Sequence, residues 1–235
     1  MIVIAMTLVG ATVAGTTGYG LGLMLLPILS LSLGTRTAVP ALAIVQLTSN
    51  FSRAIINRKQ IEFHYGIWFG IGALPGALIG AWLFSHLPVH GLASIVGIYL
   101  ILIPFLRRRF SRSFQIPPPG FVAVGFVTSL VSSLIGVVGP LCAPFFLSIG
   151  LTRGAFVGTE AVGSVFTHVF KLTGYGLNHV LTSKEVFLGL ALSPITWVGS
   201  WIGKHAANRL KDHHFANLID GVCVFFGILL IWKGH

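Results

Sequence analysis

The stretch Ala14–Pro27, AGTTGYGLGLMLLP, places glycines inside an otherwise apolar N-terminal run. A second stretch of this kind, Ser133–Pro144, SLIGVVGPLCAP, lies in the other half of the chain. An offset of 117 positions pairs Gly22 with Gly139, Pro27 with Pro144, Thr35 with Thr152 and Arg36 with Arg153. At an offset of 119, Gly70, Pro75, Gly80 and Trp82 meet Gly189, Pro194, Gly199 and Trp201. Two colinear blocks predict a duplication with repeat one at 1–110, a linker at 111–118 and repeat two at 119–235.

The composition indicates a polytopic membrane protein. The chain has 54% hydrophobic and 9% charged residues, whereas charged residues make up about 25% of a soluble chain. The net charge of +10 comes mostly from residues between apolar segments, which is typical of cytoplasmic loops rather than of nucleic-acid binding. Cys142 and Cys223 lie in apolar runs without CxxC spacing, so we expect buried thiols, no metal site and no cofactor.

The first apolar run, Ile2–Leu33, is too long for one upright helix. A straight helix of this length would measure about 48 Å, against a hydrocarbon core of about 30 Å. A break at Gly15–Gly22 would leave arms at Ile2–Val13 and Leu23–Leu33, each of about 16–18 Å, which is the length of a re-entrant hairpin. Exposed backbone at that depth is tolerated only where it is buried in protein or lines a cavity.

The remaining segments give an all-α fold of two four-segment repeats, each a broken helix followed by three transmembrane helices. Repeat one continues with Ala38–Ile56, His64–Phe84 and Leu92–Leu106. The linker Arg107–Pro119 carries a basic cluster, and its prolines Pro117–Pro119 are predicted to be non-helical. Repeat two follows with Phe121–Leu151 (broken at Gly136–Pro140), Thr152–Tyr175, Val186–Gly203 and Phe215–Trp232.

Two membrane topologies remain open. If both broken segments return, the repeats are inverted and both termini lie outside. If all eight segments cross, the repeats are parallel and both termini are cytoplasmic. The distribution of basic residues only tilts the balance, and we favour the hairpins mainly because of the arm length.

Each repeat has one helix with a polar stripe. The stripes consist of Gln46, Ser49, Asn50, Arg53 and Asn57 in the first repeat, and of Glu160, Ser164, Thr167 and Lys171, with His168 at one margin, in the second. An ionisable residue inside a span costs roughly 2.5–3.5 kcal/mol on insertion scales, so these side chains should face partners or water. Simpler roles remain open: snorkelling for Arg53 and Lys171, and a structural ion pair for Glu160.

The breaks themselves predict an anion site. Their glycines would expose backbone N–H groups, and half-helices starting near Leu23 and Pro140 would direct positive dipole ends at the same place. The alternative is that these glycines only allow close helix packing.

The paired glycine motifs GYGLGLMLLP and GVVGPLCAP, each followed by a polar segment, QLTSNFSRAIINRKQIEF or GTEAVGSVFTHVFKLTGYG, resemble the sulfite exporter TauE/SafE family. The resemblance implies a secondary transporter in the bacterial inner membrane that moves small anions such as sulfite, sulfoacetate or other sulfonates. The glycine motif is thinner in repeat two, where Val137 and Val138 separate Gly136 from Gly139.

The predicted site combines what the breaks and polar stripes indicate with what the family resemblance implies. Backbone donors would come from Gly18, Gly20, Gly22, Gly136 and Gly139, and orienting side chains from Gln46, Asn50, Thr167 and His168. Arg53 and Lys171 would supply positive potential, and Glu160 would couple transport to a proton. An anion channel or a carboxylate permease is the alternative, and an intramembrane enzyme is less favoured because no nucleophile–base pair or ligand cluster is present in the sequence. A homo-oligomer is left open.

Overall fold

The computed structural model describes residues 2–109, 116–137, 139–206, 224–225 and 227–232. Within these ranges the chain forms nine α-helices and no strand, and residues 224–225 and 227–232 are helical as well. The nine helices are α1 (Ile2–Thr17), α2 (Leu21–Leu33), α3 (Thr35–Ile56), α4 (Phe63–His86), α5 (Val89–Arg109), α6 (Phe121–Ile135), α7 (Gly139–Leu147), α8 (Arg153–Leu177) and α9 (Ser183–Ala206). The predicted all-helical fold is confirmed.

Most helices extend beyond the predicted segments. The arm predicted to end at Val13 continues to Thr17, and α5 takes in the first three arginines of the predicted linker. The prolines of the linker were predicted to be non-helical, which is wrong for Pro118–Gly120: these residues form a 3₁₀ turn that leads into α6. The fixed φ of proline suits the first turn of a helix, so the turn costs nothing there. The predicted segment Phe215–Trp232 lies outside the described residues except at 224–225 and 227–232.

Several helices have the length and composition of membrane spans. Among the described residues, Thr35–Ile56, Phe63–His86, Pro118–Ile135 and Ser183–Ala206 are long and apolar enough to cross a bilayer. Helix α8 has 25 residues but carries Glu160 and Lys171, both of which are buried inside the bundle. Large apolar side chains such as Trp82, Phe187 and Trp201 lie on the outside of the bundle, where lipid would cover them.

Glycines mark both breaks in the opening helices. The first break spans residues 18–20, where Gly18 and Gly20 have φ values of 83° and 128°. The second break begins at Gly136, whose φ is 96°. These left-handed conformations strain any residue with a Cβ atom, so glycine is required for the chain to turn out of α1 and α6 at these points.

Helix α2 folds back along α1. A Cβ atom built on Gly10 would lie 3.0 Å from Cα of Leu21, eleven residues further on. In one straight helix those two residues would be about 16 Å apart. The guanidinium of Arg53, near the end of α3, also donates to the carbonyl of Ala14, near the end of α1, at 3.4 Å. Because the ends of α1 and α3 lie side by side, α2 must run back from the end of α1 to the start of α3. Helices α1 and α2 therefore form a helical hairpin.

Neighbouring helices show that the two halves run in opposite directions. Helix α1 runs parallel to α9, with Ala11 beside Gly199 and Gly15 beside Gly203. Helix α3 also runs parallel to α9, since Thr48 contacts Ser193, and Lys204 donates to Ile56 O at 2.5 Å.

Helices α6 and α8 of the second half both run parallel to α4 of the first half. Gly72 and Gly80 of α4 pack against Val122 and Ser133 of α6, while Gly66 and Gly70 pack against Val162 and Phe166 of α8. Helices α3 and α8 are antiparallel, with Asn57 beside Gly158 and Gln60 beside Gly154. An inverted repeat would produce these pairings, although the duplication itself stays a prediction.

Candidate functional site

A cavity of about 50 Å³, lined mostly by buried residues, lies where the two breaks meet. It is lined from both halves: by the α1–α2 break, by α3, by the α6–α7 break and by α8. A water molecule needs about 10–15 Å³ by this kind of measure, so the cavity has space for a few waters or one small ion. The predicted site residues that line it are Gly18, Gly20, Gly22, Gln46, Asn50, Arg53, Gly139, Glu160, Thr167 and His168.

Two predicted residues, Gly136 and Lys171, do not line the cavity. Gly136 packs against Leu26 and Val39, where a Cβ atom would lie 3.3 Å from each side chain. The sequence reading also omitted Tyr19, Phe69, Val137 and Cys142, which do line it. Their positions depend on how the two hairpins meet, and no local signal in the sequence marks that contact.

The two breaks pass directly over each other. A Cβ atom on Gly22 would lie 2.6 Å from Val137 Cγ2, and one on Gly139 would lie 2.6 Å from Tyr19 Cβ. Val137 of the second break therefore covers Gly22, and Tyr19 of the first break covers Gly139. The first turns of α2 and α7 are both in the cavity wall, and the positive end of a helix dipole favours negative charge.

Arg53 is the main charged group of the cavity. It forms an ion pair with Glu160, with 3.1 Å between Nη1 and Oε2, and both side chains are buried. The guanidinium also donates to Gly18 O and to Asn50 Oδ1. Its Nε atom has no hydrogen-bond partner among the described residues. Arg53 therefore keeps a donor available beside the cavity.

Glu160 is held from two sides. Its Oε2 accepts from Arg53, and its Oε1 accepts from Ser164 Oγ at 2.6 Å. The ion pair that was an alternative role for Glu160 is therefore present in the structure. Because this acid also lines the cavity, a proton added to Glu160 would change the charge that a bound ion meets.

Three further side chains in the cavity wall each have a polar atom without a hydrogen-bond partner in the described part of the chain. Among the described residues, no partner is found for Gln46 Oε1, Ser49 Oγ or His168 Nδ1, although all three side chains are buried. A buried polar group without a hydrogen bond costs free energy, so such a group calls for water or a ligand. Thr167 is different, because its hydroxyl pairs with Ser129 Oγ at 2.7 Å.

Lys171 of α8 does not line the cavity, and its ammonium group lies at the C-terminal end of α6, next to the cavity-lining Ser132. Its Nζ atom is 3.2 Å from Ser132 O, 3.3 Å from Ser132 Oγ and 3.3 Å from Gly136 O. The side chain is fully buried. In the described part of the chain, no group of three or more His, Cys, Asp or Glu side chains is placed to hold a metal ion.

An apolar helical bundle whose two broken helices meet at a buried polar cavity is the architecture of a membrane transport protein. The chain belongs to the TauE/SafE sulfite exporter family, because the family model described as "Sulfite exporter TauE/SafE" matches residues 2–230. It is also similar to the "Probable membrane transporter protein YunE" of Bacillus subtilis (strain 168). The two are 24% identical over 272 aligned positions, covering 100% of this chain and 98% of the relative. No solved structure matches the chain.

The resemblance identified from the glycine motifs is therefore confirmed at the level of the family. The predicted multi-pass membrane location is confirmed too, with the inner membrane as the expected site in a bacterial cell. The family is one of membrane transporters, and such a protein binds a small anion within the bilayer.

Proposed function

We propose that the chain is a secondary transporter that exports small sulfur-containing oxyanions, such as sulfite or an organosulfonate. The family description supports the sulfur oxyanion. The observation that carries the proposal is the cavity where both breaks meet, with buried donors of Arg53, Ser49 and Gln46 in its wall. An amide turned by 180° presents its NH₂ group instead of its oxygen, so Gln46 can also donate to an anion.

Charge balance favours coupling to a proton through Glu160. With both Arg53 and Glu160 charged, the ion pair contributes no net charge to the cavity wall. An oxyanion that approaches Arg53 competes with the Glu160 carboxylate for the same guanidinium. Protonation of Glu160 removes that competitor and leaves the wall with one positive charge, so anion and proton would bind together.

Transport would proceed by alternating access between two inverted repeats, 1–110 and 119–235, joined by the linker 111–118. The opposite directions of the two hairpins support this arrangement. The arginines at the end of α5 would lie on the cytoplasmic side, and both termini would then lie outside. The chain would act without a cofactor and without catalysis.

Efflux from proteoliposomes tests the proposal. Ser49→Ala removes an unpartnered hydroxyl from the cavity wall, whereas Ser200→Ala removes one elsewhere; both serines are 1% exposed, and neither hydroxyl has a partner among the described residues. We expect Ser49→Ala to raise the KM for sulfite by about tenfold or more, since a hydrogen bond to an anion contributes roughly 1.5–3 kcal/mol. Ser200→Ala should leave the KM unchanged.

The same assay separates the alternatives. Acetate efflux that equals sulfite efflux would identify a carboxylate permease and contradict the sulfur specificity. A conductance too large for a carrier would identify an anion channel. Binding of sulfite without flux, or chemical turnover of sulfite, would remove the transport assignment.

A further inference from the structure

The same cation-to-carbonyl contact occurs in both halves of the protein. In the first half, Arg53 donates to the carbonyls of Ala14 and Gly18. In the second half, Lys171 donates to the carbonyls of Ser132 and Gly136. The three pairs share one spacing, because 171 minus 53, 132 minus 14 and 136 minus 18 all equal 118.

These contacts cover the negative ends of two half-helices. The last carbonyls of a helix have no partner within the helix, and together they carry a partial negative charge. Inside a bilayer, water does not satisfy them. Arg53 and Lys171 place a positive charge at the ends of α1 and α6 and donate to Gly18 O and Gly136 O. Ala14 O and Ser132 O already accept from the N–H groups of Gly18 and Gly136, so the cations give these two carbonyls a second hydrogen bond.

Arg53 and Lys171 differ in the number of N–H donors that remain without an acceptor. A lysine ammonium has three N–H donors, and Lys171 has three acceptors within 3.3 Å. An arginine has five donors. In Arg53 the two N–H groups of Nη1 are shared among the two carbonyls and Glu160, and Nη2 donates to Asn50. Among the described residues, the second N–H of Nη2 and the N–H of Nε are left over. The position that matches Glu160 in the first half, 118 residues earlier, is the buried Leu42, so Lys171 has no corresponding acid.

We infer that Lys171 is a positioning residue: it anchors the tip of the second hairpin by clamping the carbonyl end of α6, and it does not touch the transported anion. Arg53 anchors the first hairpin in the same way and also binds the anion. The statement about Arg53 rests on the proposed function, whereas the anchoring by Lys171 does not. Through Gly136, the lysine holds Val137 in place over Gly22.

Exchange of the two cations tests the anion part. Lys171→Arg keeps the charge and the donors to the carbonyls, so the KM for sulfite should stay within about twofold of the unmodified value. Arg53→Lys loses the spare donors and should raise the KM about tenfold. Lys171→Met should reduce the rate, and Lys171→Arg should retain it. If Lys171→Arg raises the KM as much as Arg53→Lys does, the lysine contacts the anion and the inference is wrong.

A labelling experiment without any anion tests the anchor itself. Val137→Cys, in the full chain with Cys142→Ser and Cys223→Ser, is reacted with a small water-soluble methanethiosulfonate. Adding Lys171→Met should speed the labelling about tenfold, since the hairpin tip loses a buried charged contact, while adding Lys171→Arg should not. If Lys171→Met does not fold, Lys171→Gln replaces it, because its amide still donates but carries no charge.

Unchanged labelling in Lys171→Met or Lys171→Gln would overturn the anchoring role. This readout is independent of transport. If the unmodified protein moves no sulfur oxyanion, the proposed function fails while the labelling rates still decide the role of Lys171.

Discussion

Replacement of Gly22 by alanine tests the cavity geometry most directly. Gly22 lies in the first turns of α2, in a helix that accepts alanine without backbone strain. The added methyl group would lie 2.6 Å from Val137 Cγ2 and closer still to Gln46 Nε2. Ordinary contacts begin at 3.4 Å, so Val137 must move by about 0.8 Å and Gln46 by more. Both displaced side chains belong to the cavity wall.

The expected change in the folding stability of Gly22→Ala is the sum of two opposing effects. Inserting a methyl group into packed structure costs roughly 1–3 kcal/mol, and replacing glycine by alanine within a helix returns about 1 kcal/mol. Folding stability should therefore fall by roughly 0–2 kcal/mol. Anion binding should suffer more clearly, because losing the hydrogen bond of Gln46 would cost about 0.5–1.5 kcal/mol in addition to the lost space. We expect the KM for sulfite to rise about three- to tenfold or more.

Flux in proteoliposomes and thermal unfolding in detergent measure the two effects. The matched control is Gly176→Ala, also in a helix, where a Cβ atom would meet nothing within 4 Å. That variant should keep both the KM and the unfolding temperature. The double variant Gly22→Ala/Val137→Ala shortens one of the two obstructing side chains. Its stability should exceed the additive expectation by about 0.5–3 kcal/mol, the range of coupling between residues in contact.

Two results would refute this reasoning. A Gly22→Ala protein with an unchanged KM and unfolding temperature would mean that the hairpin tips are not in contact at this point. A Gly22→Ala protein that is less stable than the Gly176→Ala control but has the same KM would mean that the space beside Gly22 is not used by the anion, and the cavity would not be the binding site.

Three further predictions follow from single contacts. Glu160→Gln removes the acid that competes for Arg53, so initial rates of sulfite efflux should lose their dependence on pH; an unchanged pH profile would contradict proton coupling at Glu160. Cys142 lines the cavity, so methanesulfonate should slow its modification by N-ethylmaleimide, measured by mass spectrometry; equal rates with and without the anion would separate Cys142 from the site. In Gly76→Ala the new Cβ would lie 3.0 Å from Phe126 Cα and closer to its carbonyl oxygen, so α4 and α6 must separate. The unfolding temperature should then drop by the equivalent of roughly 1–3 kcal/mol, and an unchanged temperature would contradict the backbone contact.

The sequence predicted features that depend on local chemistry. The breaks were predictable because the chain turns at Gly18 and Gly136 through left-handed conformations that favour glycine. The polar stripes were predictable because an unpaired polar side chain is costly in lipid, so the stripes had to face inward. Ser49 and His168 accordingly lie in the cavity wall.

Features that depend on the meeting of distant segments were not predictable. Cys142 is buried, as expected, but no pattern in the sequence indicated that it lines the cavity. Lys171 shares a stripe with Thr167, and helical periodicity alone assigned both to the same site. The long lysine side chain reaches past the cavity to the carbonyls that α6 exposes where it ends. Those acceptors belong to another segment, so no pattern within α8 indicates them.

If the chain transports by the proposed alternating access, the packing indicates which helices would move together. Each opening hairpin packs on a helix of the other half: α1 lies mainly against α9, and α6 lies mainly against α4. Helix α3 also packs on α9, so α1, α3 and α9 form one body. Helix α8 also packs on α4, so α4, α6 and α8 form the other body. The moving bodies would therefore differ from the two sequence repeats, since each contains one helix exchanged from the other repeat. Helices α3 and α8 form the contact between these bodies, and the Arg53–Glu160 ion pair crosses it beside the cavity. In the proposed mechanism, an anion or a proton that breaks this ion pair would weaken the contact between the two bodies, which would link occupancy of the site to the conformational change.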